Sequence, residues 1–275
     1  VELPRPWNVI SVDIVKSSSG GYPRHSELST ATERIVAAVH RACPPGRWIR
    51  RERGDGELIL ISAEVPCAWV VAEFLRLLRN GVLAYNRNKN QESQLRLRAG
   101  IDRGDVLVDD ADIPRGGDAI VSAVRLQGCE AANEAAVAVP AAPVVAVISD
   151  EVYRATVRFR ELGLEPELFR DVRVAVPQKD FVATGWLHLP GHVPPIVTAG
   201  YPEDDLPGPE PTRAKGPAGT TSSARVSDRA SDHEEHRPPS GGKYQYNQHG
   251  STGVITQGDG THIDARGMNV YGGSA

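Results

Sequence analysis

Two carboxylates give the first hint of chemistry in this sequence. Asp13 closes an apolar run, Val9-Ile10-Ser11-Val12. Asp55 sits in the polar turn Gly54-Asp55-Gly56, directly before the β-preferring run Glu57-Leu58-Ile59-Leu60-Ile61. An acid at the end of one strand and an acid at the tip of a hairpin can address the same point in space. Paired hard oxygen ligands of this kind suit Mg²⁺ or Mn²⁺, the cations that polyphosphates bring with them. A pair of such ions can lower the pKa of a sugar hydroxyl and neutralise charge on a leaving pyrophosphate. Asp-Gly is also a favoured turn pair, so a purely structural explanation of Asp55 stays open at this point.

The elements that must position these acids follow from periodicity. Residues 8–15 predict a strand, and helical spacing over 26–43 (Leu28, Ile35, Val36, Val39, Ala42) runs up to Pro44-Pro45-Gly46. Residues 48–53 and 57–62 read as the two arms of a hairpin. Pro66 opens a second helix, to about Asn86, whose apolar residues Val70, Val71, Phe74, Leu75 and Leu78 share one face. Leu95–Ile101 alternates as a strand does and continues through Gly104 into 105–108, which predicts a second hairpin there. A loop from Asp109 to Gly117 leads to a third helix, Ala119 to about Ala132, with Arg125 among small and aliphatic residues. Val144–Ser149 is a buried-type strand, followed by a helix over 150–158 and two strands within 172–189. Alternation without strict βαβ regularity predicts an α+β sandwich, a mixed sheet flanked by helices.

Composition narrows the partners. The 275 residues carry 31 Lys+Arg against 35 Asp+Glu, a formal charge of -4, so no basic excess points to nucleic acid or an anionic membrane surface. No stretch approaches the roughly 20 apolar residues of a membrane span. Cys43, Cys67 and Cys129 are too scattered for a disulfide framework or a zinc site, which predicts reduced thiols in a cytoplasmic protein. His25, His40 and His188 lack metal-ligand spacing, and Arg50, Arg51 and Arg53 form a basic strand segment. The character changes after Gly191. Residues 8–190 read as the globular domain, 191–243 as a disordered linker crowded with Pro, Gly and Ser, and 244–275 as a Gly/Asn/Gln-rich tail.

Four segments in order carry a resemblance. They are Val9-Ile10-Ser11-Val12-Asp13-Ile14, Arg51-Glu52-Arg53-Gly54-Asp55, Arg98-Ala99-Gly100-Ile101-Asp102-Arg103-Gly104, and the stretch from Gly117 to Leu126 that contains Val121 and Arg125. Together they resemble the class III nucleotide cyclase domain, a ferredoxin-like sandwich, over residues 8–190. The likeness is nearest a divergent actinobacterial-type branch with Arg-Gly-Asp-Gly at the second metal site. The resemblance implies that Asp13 binds two Mg²⁺ or Mn²⁺ ions, assisted by the Ile14 backbone carbonyl, and that Asp55 is the other metal ligand. It implies substrate contacts from Arg51 and Arg98, transition-state stabilisation by Arg125, and a head-to-tail homodimer with its active sites at the interface. The implied reaction turns a nucleoside triphosphate into a 3′,5′-cyclic nucleotide and pyrophosphate.

The departures fall on one half of that site. Val121 stands where the family has a transition-state Asn, and Arg51 where it has a base-reading Lys or Glu. The acidic partner of that residue aligns near Pro114-Arg115, or at Asp112 if a gap is allowed. Lys16-Ser17 replaces a Gly-Phe pair. The alternative to an enzyme is a catalytically inactive cyclase-homology module that dimerises or binds nucleotide and recruits partners. The tail, through Ile255-Thr256-Gln257-Gly258, resembles bacterial amyloid signalling motifs. That implies a role in signalling or defence and a protein partner bearing a like motif; a disordered Gly-rich tail is the other explanation.

Overall fold

A computed structural model describes residues 3–17, 21–176 and 181–199, together with three short tail segments, 255–257, 261–263 and 270–271. The chain divides into two compact units, Val1–Arg213 and Ala214–Ala275. In the first, the strands are β1 (Arg5–Ile14), β2 (Trp48–Arg53), β3 (Gly56–Ser62), β4 (Leu97–Val108), β5 (Pro114–Gly116), β6 (Val144–Ser149), β7 (Arg170–Val176) and β8 (Phe181–His188). They form one eight-stranded mixed sheet of order β2-β3-β1-β4-β6-β8-β7, with β5 added to β4. β4 and β6 run parallel while β1 pairs antiparallel with both β3 and β4. A parallel pair needs a crossover, and two helices supply it: α4 (Asp118–Gln127) and α5 (Glu130–Ala138).

The sheet is covered on both faces. Ile10, Val12 and Ile14 of β1 pack with α1 (Gly21–Arg41) and with the long second helix. That helix comprises α2 (Cys67–Trp69), a π-helical stretch Val70–Phe74, and α3 (Leu75–Asn86). Trp7 and Val9, of opposite parity on β1, pack with Leu58, Leu60 and the α4 residues Ala119 and Ala123. A strand buried on both faces loses the polar alternation of an edge strand, which is why 8–14 reads as a near-continuous apolar run. The α+β sandwich expected from the sequence is the observed architecture.

Three boundaries differ from the periodicity. Helix α1 begins at Gly21 rather than at residue 26, because Pro23 is accepted in a first turn whose N–H groups need no intrahelical partner. β4 is a single strand through Gly104, so the predicted hairpin there is absent; the reversal comes later, where β5 pairs back on β4. Gly100 and Gly104 mark close contact with α4 instead. A Cβ on Gly100 would lie 2.0 Å from the Ala123 carbonyl oxygen, and one on Gly104 3.2 Å from the Ala119 Cβ. The third helix is two, parted at Gly128-Cys129, where Gly128 follows the last turn of α4.

Residues 191–199, which composition assigns to a linker, pack on this unit. Val197 is buried against the α5 side of the sheet, and the Thr198 and Ala199 N–H groups donate to the Glu134 carboxylate at 3.0 and 2.8 Å. Residues 200–243 lie outside the described residues. In the second unit Ile255–Gln257, Thr261–Ile263 and Val270–Tyr271 form a three-stranded antiparallel sheet; the rest of the tail lies outside the described residues. All three cysteines are free, and burial pushes the Cys67 thiol up to about 11, so it is a poor nucleophile. Among the described residues no helix is long and apolar enough to cross a membrane.

His188 is a packing residue with a pH consequence. Its ring stacks on Phe169 at 4.3 Å between centroids, and Nδ1 is 2.9 Å from the Leu168 carbonyl oxygen, which places the proton on Nδ1 in the neutral ring. Burial lowers its pKa below the ordinary value of about 6.5, and the hydrogen bond to Leu168 only partly opposes that. The unfolded chain therefore binds the proton more readily than the folded one. Stability is full above the unfolded pKa and falls as pH drops through it toward the native value. A series of urea midpoints between about pH 7 and pH 5 is expected to slope less steeply in His188→Phe than in wild type; equal slopes would contradict this.

Candidate metal and phosphate site

The hairpin tip is brought to the end of β1 by register and by a missing side chain. β3 pairs with β1 from Trp7↔Ser62 to Val12↔Glu57, so Gly56 comes level with Asp13. A Cβ on Gly56 would lie 2.3 Å from the Val12 carbonyl oxygen and 3.3 Å from the Asp13 Cα, so only glycine allows this approach. Gly54 has φ +67°, as the first central residue of a primed two-residue turn requires, and Asp55 is the second. The sharp turn and the close approach together hold Asp55 beside Asp13.

Burial raises the pKa of the Asp13 carboxyl above the ordinary carboxylate range. The Arg98 guanidinium pulls it part of the way back, and Asp55 raises it again through its charge and a side-chain hydrogen bond. Asp13 is thus an acid with a cationic neighbour, Arg98, and an anionic one, Asp55. Arg98 is its direct cross-strand partner on β4 and forms an ion pair with it, while also donating to the Asn133 side-chain oxygen on α5. Both side chains of the pair are less than one-fifth exposed.

The donor set fits a hard divalent ion. It offers the Asp13 and Asp55 carboxylates, and Ile14, whose side chain fills the core, has only its backbone carbonyl to add. Among the described residues no cluster of three or more His, Cys, Asp or Glu side chains is assembled, so further ligands to such an ion would come from substrate oxygens and water. Asp55 also lines a cavity of about 490 Å³ between α1 and the hairpin, with His25, Ser29, Arg50 and Glu57. There Arg50 forms an ion pair with the buried Glu57 across the two strands.

The other expected site residues lie elsewhere in the chain. Arg51 donates to the backbone oxygens of Ala111 and Asp112, at 3.3 and 2.8 Å, and Arg47 forms an ion pair with the Asp112 carboxylate. The β4–β5 loop is thereby fastened to β2. Asp109 organises it from within, accepting from the N–H groups of Ala111 and Ile113. It is Asp112 that stands beside β2, whereas Pro114 is paired with Val108 in β5. Arg125 stacks over the Phe181 ring at 4.3 Å, and its buried Nε has no acceptor among the described residues. Among the described residues it forms no ion pair; its contact is the Phe181 ring. It lines a separate cavity of about 550 Å³ with Ser122 and Val121, the latter 46% exposed.

One chain thus unites Asp13, Asp55 and Arg98, and keeps Arg51 and Arg125 apart from them. Sequence reasoning missed Asn133, for which a lone Asn in an alanine-rich helix gives no signal. It also missed the role of Gly56, where a second glycine after the turn was the available clue.

No protein-family profile and no curated protein sequence matches the chain. Solved structures do. An adenylate/guanylate cyclase/hydrolase from Silicibacter pomeroyi is 20% identical over 69% of this chain and 99% of its own, with a TM-score of 0.46. The adenylyl cyclase CyaB from P. aeruginosa is 15% identical over 68% and 95%, with a TM-score of 0.42. The guanylate cyclase domain of RhGC from Catenaria anguillulae, solved with GTP, is 15% identical over 67% and 97%, with a TM-score of 0.39. At these identities and scores the likeness is one of general fold, and no residue role passes from those proteins to this chain.

Proposed function

We propose that this chain is a metal-dependent nucleotidyl cyclase that acts as a head-to-tail homodimer. It would convert a nucleoside triphosphate into a 3′,5′-cyclic nucleotide and pyrophosphate. The observation that carries the proposal is the juxtaposition of Asp13 and Asp55, held together by the close approach of Gly56 to β1. In the reaction the ribose 3′-oxygen bonds to the α-phosphorus, the bond from that phosphorus to the pyrophosphate oxygen breaks, and the hydroxyl proton passes to solvent. Two Mg²⁺ or Mn²⁺ ions, when bound, supply Lewis acidity toward the 3′-hydroxyl and the phosphate oxygens.

The chain's own residues hold and orient. Asp13, Asp55 and the Ile14 carbonyl are the cation ligands, and Arg98 meets triphosphate oxygens as it leaves Asp13. Arg125, from the second subunit, faces the charge that develops on the reacting phosphate; a fixed, permanently charged fork suits that task. Arg51 lies on the base side, with its remaining donors set by the β4–β5 loop. Incubation with Mn²⁺ and pooled nucleoside triphosphates tests the proposal: pyrophosphate should be released by wild type and not by Asp55→Asn.

One observation favours a second reading, a module that binds nucleotide or dimerises without turnover. Val121 presents an apolar surface in the Arg125 cavity, where the resemblance implies a hydrogen-bonding Asn. Nucleotide binding without pyrophosphate release is the outcome that selects it. The tail completes the proposal. It recruits a cytoplasmic signalling or defence partner by stacking with a like motif, so a peptide of residues 244–275 is expected to form thioflavin-positive fibres. A peptide that stays monomeric at high concentration would sink that part.

A further inference from the structure

Arg98 spans two elements. One terminal nitrogen donates to Asp13 on β1 and the other to the Asn133 side-chain oxygen on α5, while its buried Nε has no acceptor among the described residues. The sheet sets how near Arg98 comes to Asp13, because the two residues are register partners. It does not set how the planar fork is turned. Asn133 does, since it takes the other end of the guanidinium. The post is firm: Ala131, Ala132, Ala135 and Ala136 bury α5 against the sheet, and Glu134 ties the same helix to Thr198 and Ala199.

We propose that Asn133 is a positioning residue that governs how strongly Arg98 occupies Asp13, and so how readily Asp13 accepts a divalent cation. This rests on the assignment of Asp13 as a cation ligand. A guanidinium and a divalent ion compete for the same carboxylate lone pairs and repel one another. As the ion enters, the fork must give up Asp13. A fork still bonded to Asn133 pivots about that contact instead of swinging free, which presents the released N–H groups to an anionic phosphate oxygen. A neutral amide oxygen suits this task. It holds Arg98 without competing on charge with Asp13, whereas a carboxylate there would draw Arg98 away and an alanine would leave both ends of the fork to Asp13.

Mn²⁺ alone is the probe, titrated into the full chain without nucleotide and followed by the electron paramagnetic resonance of the free ion. Asn133→Ala is expected to weaken Mn²⁺ binding about tenfold, the lower end of what an outer-shell ligand partner contributes. Asn133→Asp is expected to tighten it, and Asn133→Gln to restore part of the loss. In an Arg98→Ala background, Asn133→Ala should change nothing further, because its effect passes through Arg98. An equal effect of Asn133→Ala in both backgrounds would overturn the proposal. So would unchanged affinity in a folded Asn133→Asp, the variant that decides if Asn133→Ala fails to fold. Mn²⁺ binding that needs Asp13 but ignores Asn133 overturns this proposal alone, whereas binding undiminished by Asp13→Asn, or absent in wild type, overturns the cation site beneath it. The readout needs no turnover, so a protein that binds Mn²⁺ as described and forms no cyclic product would refute the cyclase assignment and leave this proposal standing.

Discussion

Equal amounts of Asp13→Asn and Arg125→Ala chains, each inactive alone, are expected to recover about a quarter of the wild-type rate when mixed and allowed to exchange subunits. The expectation comes from where the two residues lie. Asp13 is joined by Asp55 and Arg98 at the end of β1, whereas Arg125 lines another cavity with Val121 and Phe181. If each reaction centre takes its metal ligands from one subunit and its arginine from the other, a mixed dimer has one doubly damaged site and one intact site. Random pairing makes half of the dimers mixed, and half of their sites intact. Each variant alone should lose roughly 10²–10³ in kcat, the usual cost of removing one preorganised group that faces developing charge. Among the described residues Arg125 forms no ion pair and contacts a ring, so the thermal transition of Arg125→Ala should stay close to wild type. Absence of recovery from two folded, dimerising variants would contradict a shared site.

Gly100→Ala is expected to give the largest stability effect of any single-methyl addition in the sheet. The new Cβ would meet the Ala123 carbonyl oxygen at 2.0 Å and the Gln127 nitrogen at 2.5 Å, both backbone atoms of α4 that no rotamer change can move. The helix must lift from β4, at a cost of roughly 2–3 kcal/mol or more by analogy with overpacked cores. For a domain of this size that corresponds to roughly 4–12 °C in Tm, at about 2–4 °C per kcal/mol. Because α4 carries Arg125, activity should fall with stability. Gly104→Ala is the internal comparison: its Cβ meets only the Ala119 methyl, at 3.2 Å, and should cost distinctly less. Calorimetry on the two variants decides, and equal transitions would contradict the packing described here.

These glycines show how far the sequence could be read. The hairpin over 48–62 was legible because its turn chemistry is local: Gly54 supplies the positive φ, and apolar runs flank it. β1 and β6 were legible because burial on both faces leaves an unbroken apolar signature. Gly104 misled because a glycine in a strand can mark either a turn or a close backbone approach, and the approach is made by Ala119, on a helix well downstream. The break at Gly128 was hidden by alanines, which suit the helix on both sides of it.

Of the candidate site, the two aspartates could be named from the apolar runs beside them, Asp13 at the end of one and Asp55 in the turn before the other. Their proximity depends on the β1–β3 register and on the absence of one Cβ at Gly56, both of which are long-range facts. The Arg98–Asn133 contact joins a strand to a helix 35 residues away, and nothing in the local pattern of either announces it. The boundary at Gly191 was drawn from composition. The clasp of Thr198 and Ala199 on Glu134 uses backbone N–H groups, to which composition is blind.

The central claim is that Asp13 and Asp55 serve cyclisation of a nucleoside triphosphate. The most direct measurement is mass spectrometry of the products formed by the purified full chain with Mn²⁺ and, separately, ATP, GTP, CTP and UTP. The prediction is a 3′,5′-cyclic nucleotide with equimolar pyrophosphate from at least one of the four, absent with Asp13→Asn and with Asp55→Asn. A folded, dimeric wild-type protein that yields no cyclic product from any of them would contradict it.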